Sequence, residues 1–416
     1  MGFSWEDEGL SDLIGTFREA FPEGSPDLIS RAPGRVNLIG EHTDYNGLPV
    51  FPMALRKEIR IILSPRKDAL IRAVNQEGEF GLREFTISGD IPAHPAGDWA
   101  NYLQAPCQAL ARQFGGLSGF DALVSSTLPV ASGLSSSSAL VIAMGQALLR
   151  VNELTLPTLD FAEAMAAAER YTGTQGGGMD QAISAGAVEG HASRIEFAPL
   201  RMFETPVPED WRFVVAHTLV RAEKSGMAQE GYNARTRECR EALEIVADAA
   251  LAQGQAPEGT DSYPLLLERV CIQDLVELGE AYLEGTLLKR FRHVVTEGSR
   301  VYDAEHAMAR GDRSTFGLLV NASHRSLQED YEVSSPELDA LVELALGAGA
   351  SGARLTGAGF GGCIVALAGP DSLDRVMSAL ENGYYRPRGV LGALDGVLFV
   401  AEASGGATVS ELQAGL

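Results

Sequence analysis

The chain has 416 residues, enough for two domains with separate cores, and 45 % of them are apolar, as in ordinary globular proteins. Its formal net charge of −23, with only four lysines scattered among 33 basic side chains, excludes the basic stripe of a nucleic-acid binder and disfavours anionic membranes. A polyanionic nucleotide would need a local positive site inside this acidic field, built from backbone N–H groups, Arg or Mg²⁺.

The first ten residues, MGFSWEDEGL, are acidic and carry no apolar core of a signal peptide. The longest apolar stretch, Ala139–Leu149, is too short to span a bilayer. Cys107, Cys239, Cys271 and Cys363 lie far apart and form no metal-binding spacing, so they read as reduced thiols. A soluble, cytoplasmic protein is expected, without nucleic-acid or membrane partners and with a monomer favoured.

In chain order, Arg31–Met53 (RAPGRVNLIGEHTDYNGLPVFPM) comes first and packs Arg35, Glu41, His42, Asp44 and Asn46 behind an apolar run. A solvated loop would explain the charges alone. An apolar run feeding straight into Glu-His-x-Asp instead suggests side chains converging on a hydroxyl-rich ligand, for which carboxylates are acceptors. A glycosidase carboxylate pair finds no support from a second carboxylate motif. Arg56–Ser64 alternates polar and apolar and predicts a half-buried strand, and Asp121–Ser126 a second one.

PVASGLSSSSA, Pro129–Ala139, then joins that strand to a helix running on through LVIAMGQALLRV. It offers a glycine, four hydroxyls and the orphan N–H groups of a helix start, where a phosphate is favoured. A plain serine N-cap is the competing reading, and on this motif alone the two remain open. Neither GxxxxGK[ST] nor the protein-kinase elements occur, so any phosphate site works without the usual lysine.

The Ala-rich Asp160–Tyr171 predicts a helix, followed by Gly176-Gly177-Gly178-Met179-Asp180-Gln181. Taken singly, that stretch reads as an N-cap aspartate. Trp211–Thr218 predicts a strand, Tyr232 to Gly311 a mainly helical section, and Gly361–Leu367 and Gly396–Ala401 further strands. Gly357, Gly359 and Gly362 spell GxGxxG, but a strand follows where a dinucleotide fold needs a helix. The mixture predicts an α+β protein of two domains, 1–195 and 196–416, with a cleft between them.

In this order the motifs resemble the GHMP family of small-molecule kinases, and among them the galactokinases. GRVNLIGEHTDYN at Gly34–Asn46 resembles the family's sugar motif, GLSSSSA at Gly133–Ala139 its phosphate loop, and LTGAGFGGC at Leu355–Cys363 its third motif. SHRSLQEDYEVSSPELD at Ser323–Asp339 also resembles galactokinase sequence. The resemblance implies an N-terminal domain like ribosomal protein S5 domain 2 and a ferredoxin-like C-terminal domain. The tail near 396–416 would then pack back on the first.

The same resemblance implies phosphorylation of a sugar C1 hydroxyl by ATP with Mg²⁺. Asp180 is the implied catalytic base and Arg35 the cation beside the reacting hydroxyl. Arg35, Glu41, His42, Asp44, Gly177, Asp180 and Tyr232 are implied sugar contacts. Gly133, Leu134, Ser135, Ser136, Ser137 and Ser138 are implied for ATP, with Trp99 near the adenine. Ser137 and Glu169 are implied metal ligands, although the Glu169–Asp180 spacing is one residue shorter than in typical galactokinases. TQGGGMDQAIS and the four serines look closer to the N-acetylgalactosamine-kinase and plant-type branch, whereas Tyr232 in GYNAR matches the galactose type. Galactose is the expected substrate, N-acetylgalactosamine or another sugar of the family the alternative, and a non-catalytic sugar and ATP sensor the distant one.

Overall fold

The structure is a computed structural model that describes residues 9–78, 80–129, 133–173, 176–220, 227–392 and 394–412. The acidic N-terminal stretch up to residue 8, positions 130–132 of the serine-rich segment, and Thr174 and Gln175 lie outside them.

The first half opens with α1 (Leu10–Ala20), the long strands β1 (Leu28–Ile39) and β2 (Phe51–Pro65), then β3 (Leu70–Asn75) and β4 (Arg83–Thr86). Helix α2 (Ala100–Phe114), β5 (Phe120–Ser126), α3 (Ser136–Val151), α4 (Thr158–Glu169) and α5 (Met179–Gly186) follow. A hairpin of β6 (His191–Glu196) and β7 (Arg201–Pro206) leads into β8 (Arg212–His217). The helical middle comprises α6 (Met227–Ala252), α7 (Tyr263–Arg269), α8 (Ile272–Tyr282), α9 (Gly285–Ala309), α10 (Arg313–Glu329) and α11 (Pro336–Gly347). The chain then forms β9 (Gly352–Thr356), β10 (Cys363–Ala368), α12 (Leu373–Leu380), β11 (Leu398–Ala401) and β12 (Thr408–Glu411).

Two sheets organise these elements. The first has six strands in the order β12-β1-β2-β5-β3-β4, antiparallel except for the β3–β5 pair; the second is antiparallel, β11-β8-β10-β9. Helices α3 and α5 cover one face of the first sheet, with α2 packed on α3, and α1 covers the other. Strand β2 is therefore buried on both sides, Ile61 facing one core and Ile62 the other, not half-buried as its alternation predicts. Its polar positions survive burial by pairing: Glu58 lies 2.8 Å from Arg31 and 2.5 Å from Arg60.

Within the 396–416 stretch, β11 lies in the second sheet and β12 pairs with β1 in the first. Helix α9 crosses the same way, its Val301, Ala304 and Ala307 joining the core under the first sheet. The two halves thus share side chains in one core.

Candidate active site

Strand β1 brings the motif residues together. Its pairing with β2 shifts register between Pro33 and Arg35, so Gly34 drops out of the ladder. A Cβ on Gly34 would come within 2.6 Å of the Leu134 carbonyl oxygen, so only glycine lets β1 run this close to the serine turn. Arg35 is the beneficiary. Its backbone N–H donates to that carbonyl at 3.1 Å, its Nε donates to Asp180 Oδ1 at 2.8 Å, and an Nη donates to the Gly133 carbonyl. One guanidinium therefore touches both the aspartate on α5 and the backbone of the serine turn.

The serine turn is built as an anion site would be. Gly133 has φ +76° and Ser135 φ +61°, after which α3 starts at Ser136. Among the described residues, no side chain caps that helix start and Ser135 Oγ is buried without a hydrogen-bond partner. From behind, the glycine-rich loop after β9 closes on it. A Cβ on Gly357 would lie 2.6 Å from the Gly133 carbonyl oxygen, which explains a glycine at that point. The third motif thus supports the second; it is not a dinucleotide cradle.

On the other side of Arg35, Glu41 is buried and accepts from Arg354 Nη2 at 2.7 Å and from the Gly357 N–H at 3.0 Å. Burial raises its pKa, against the pull of Arg354 and Arg35. Asp44 accepts from the Gly177 N–H at 3.1 Å, and its pKa rises to about 6, chiefly through burial and then through the neighbouring Asp180 charge. The approach is tight, because a Cβ on Gly177 would sit 2.4 Å from the Asp44 carbonyl carbon and 2.5 Å from the Tyr45 nitrogen. Gly177→Ala is accordingly expected to raise the substrate KM at least about tenfold with the fold retained, measured by steady-state kinetics and circular dichroism.

His42 stands in the left-handed region at φ +63°. Its Nε2 lies 3.2 Å from the Ala358 carbonyl, which can only accept, so Nε2 carries the proton and Nδ1 accepts from Tyr45 Oη at 2.8 Å. Tyr45 must then accept from Tyr331 Oη at 2.7 Å, and Tyr331 from the Cys239 thiol at 3.1 Å. Burial, then the nearby His293, pushes the His42 pKa down to about 3, so the ring stays neutral. Both ring nitrogens are committed within the protein. The Tyr232 ring packs 5.5 Å from His42 and 5.1 Å from Tyr45, and its hydroxyl feels the charges of Asp44, Asp180 and Glu41.

Three comparisons with known proteins place the chain in a family. Residues 15–65 match the galactokinase galactose-binding signature, 101–187 the N-terminal domain of GHMP kinases and 304–386 their C-terminal region. A galactokinase of Chloroflexus aurantiacus is 38 % identical over 381 residues, 90 % of this chain and 92 % of that protein. The chain belongs to the galactokinase family.

A second galactokinase, from Chloroflexus aggregans, matches at the same identity and coverage. Among solved structures, Lactococcus lactis galactokinase complexed with galactose superposes with a TM-score of 0.85 at 31 % identity, covering 96 % of this chain and 99 % of that one. Methanococcus jannaschii mevalonate kinase, at 18 % identity and a TM-score of 0.59 over 92 % of this chain and all of its own, shares the two-domain fold.

In this galactokinase-family site, Arg35, Glu41, His42, Asp44, Gly177, Asp180 and Tyr232 meet in one place. Glu169 reaches the serine turn through Gln181, whose Nε2 donates both to Glu169 Oε2 and to Ser138 Oγ, the latter at 3.3 Å. Trp99 is buried at the start of α2 against Phe80, ring centroids 6.2 Å apart, with its indole N–H unpartnered among the described residues.

Sequence reading misses the layer beneath the site. Buried Glu297 on α9 accepts from the Gly40 and Glu41 N–H groups, from Ser323 Oγ at 2.6 Å and from Arg300 Nε at 2.7 Å. His293, one turn earlier, meets the Glu41 carbonyl at 3.0 Å and Ser326 Oγ at 2.9 Å. The Ser323–Asp339 segment, recognised without assigned roles, thus supplies Ser323, Ser326 and Tyr331 to hold the sugar loop.

Proposed function

We infer that the chain is an ATP-dependent galactose kinase, forming galactose 1-phosphate and ADP, in which Asp180 and Arg35 act at the transferred phosphoryl group. The observation carrying this reading is the Arg35 guanidinium, which bridges Asp180 and the Gly133 carbonyl at the seam between the sugar loop and the serine turn.

In-line transfer forms a bond from the sugar O1 to the γ-phosphorus and breaks the bond from that phosphorus to the β,γ-bridging oxygen. Such transfers pass through a loose transition state, so positioning and charge neutralisation supply most of the catalysis. Asp180 Oδ accepts the O1 proton, while the Arg35 guanidinium offsets negative charge developing on the transferred group. The backbone N–H groups at the start of α3 face the phosphate oxygens. Asp44, Glu41 and Tyr232 bind sugar hydroxyls, and His42 holds Tyr45 and Ala358 in place around them.

For Mg²⁺, Ser137 and Glu169 are the ligands we propose. Glu169 is 4 % exposed and its carboxylate, among the described residues, is met by the Gln181 amide and by no cation. Mg²⁺ needs one or two protein oxygens besides phosphate, so the lack of a three-residue His, Cys, Asp or Glu cluster among the described residues fits such a site. When bound, it would neutralise β- and γ-phosphate oxygens.

Parallel kcat/KM values for galactose and N-acetylgalactosamine, read as coupled ADP release, test the function. A clear preference for the acetamido sugar would move the substrate; no turnover on either would favour a sensor. A pH profile tests Asp44 independently. Its carboxylate is charged above pH 6 and protonated below, so lowering the pH removes an acceptor from the sugar site. Galactose Kd is expected to rise by up to about tenfold per unit below pH 6, and Asp44→Asn to bind weakly with a flat profile.

A further inference from the structure

Neighbouring residues in the first turn of α5 reach opposite ends of the site: Asp180 pairs with Arg35, and Gln181 turns to Glu169 and Ser138. The Gln181 amide orientation follows from its surroundings. A carboxylate oxygen only accepts, so the amide nitrogen and not its oxygen faces Glu169. The same nitrogen lies 3.3 Å from Ser138 Oγ, which gives its two N–H bonds two partners. All three side chains are buried.

A neutral donor is the informative choice here. An Arg or Lys at this point would satisfy Glu169 permanently, whereas an amide fixes its orientation and leaves its charge available to a cation. Accepting from Gln181 also leaves the Ser138 hydroxyl as a donor toward phosphate.

We propose that Gln181 is a positioning residue for Mg²⁺·nucleotide, fixing the Glu169 carboxylate and the Ser138 hydroxyl relative to each other from the turn that carries Asp180. The proposal rests on reading Glu169 as a metal ligand. Because residues 180 and 181 share one helical turn, the base and the metal end are set by a single rigid element.

The test is calorimetric binding of ADP with Mg²⁺ and with EDTA, without turnover. Gln181→Met keeps the side-chain length and removes both N–H donors. Gln181→Asn withdraws the amide by one methylene and serves as the second variant should the first perturb folding. Both are expected to weaken Mg²⁺-dependent ADP binding by about 10–100-fold, with EDTA-condition binding and galactose Kd within about twofold of the parent. Glu169→Gln should weaken it similarly, and adding Gln181→Met to Glu169→Gln should cost little more. Full Mg²⁺-dependent affinity in both Gln181 variants, while Glu169→Gln loses it, overturns the proposal. If Glu169→Gln also binds normally, the metal reading falls and takes the proposal with it.

Discussion

Asp180→Asn is expected to lower kcat by about a thousandfold, within the range for removing a positioned general base, while galactose Kd changes only a few-fold. The asparagine oxygen can still accept from Arg35 Nε, so the 2.8 Å contact and the placement of α5 survive. What disappears is a group able to take the O1 proton. Single-turnover phosphorylation together with calorimetric galactose binding separates the two effects. A variant that turns over near the parent rate with normal folding would leave Asp180 no role as base and reduce it to a partner for Arg35.

The largest stability effect should come from Arg354→Met. Arg354 is 0 % exposed, pairs with Glu41 at 2.7 Å and donates to the Asn37 carbonyl at 3.2 Å. Removing the cation leaves Glu41 in a buried pocket with its nearest compensating charge gone, a loss of about 3–5 kcal/mol for a buried pair broken on one side. The pH dependence has a definite sign. Burial already raises the Glu41 pKa in the folded state, and losing Arg354 raises it further. The variant's deficit should therefore be small where Glu41 is protonated and grow as pH rises through its folded pKa. Urea midpoints of parent and variant between pH 5 and 8 check this, and Glu41→Gln added to Arg354→Met should recover part of the loss. A deficit that shrinks with rising pH would count against the pairing.

The residues proposed to carry the chemistry are legible because they stand in short motifs whose composition is odd for a core or a plain loop. Four serines after a Gly-Leu, and Glu-His-x-Asp after an apolar run, are such cases. The supporting layer was not legible. Glu297 and His293 lie in a helix read only for its periodicity, and nothing local marks a carboxylate there as fully buried. A usable signal exists in hindsight: both fall at positions that the helical stripe assigns to the interior. The half-buried reading of β2 failed because alternation reports one covered face, and α1 covers the second. Strand β12, with the short polar sequence TVSE, carries no strand signal of its own; pairing with β1 makes it one.

That pairing bears on how the chain can be made. Glu411 lies opposite Leu28, so the outer edge of the first sheet closes only when nearly the whole described chain has left the ribosome. Until then β1 presents an open edge, and the core beneath it lacks Val301 and Ala304. The nascent first half is thus a candidate for chaperone protection, and expressing it separately should give aggregates instead of a small folded domain.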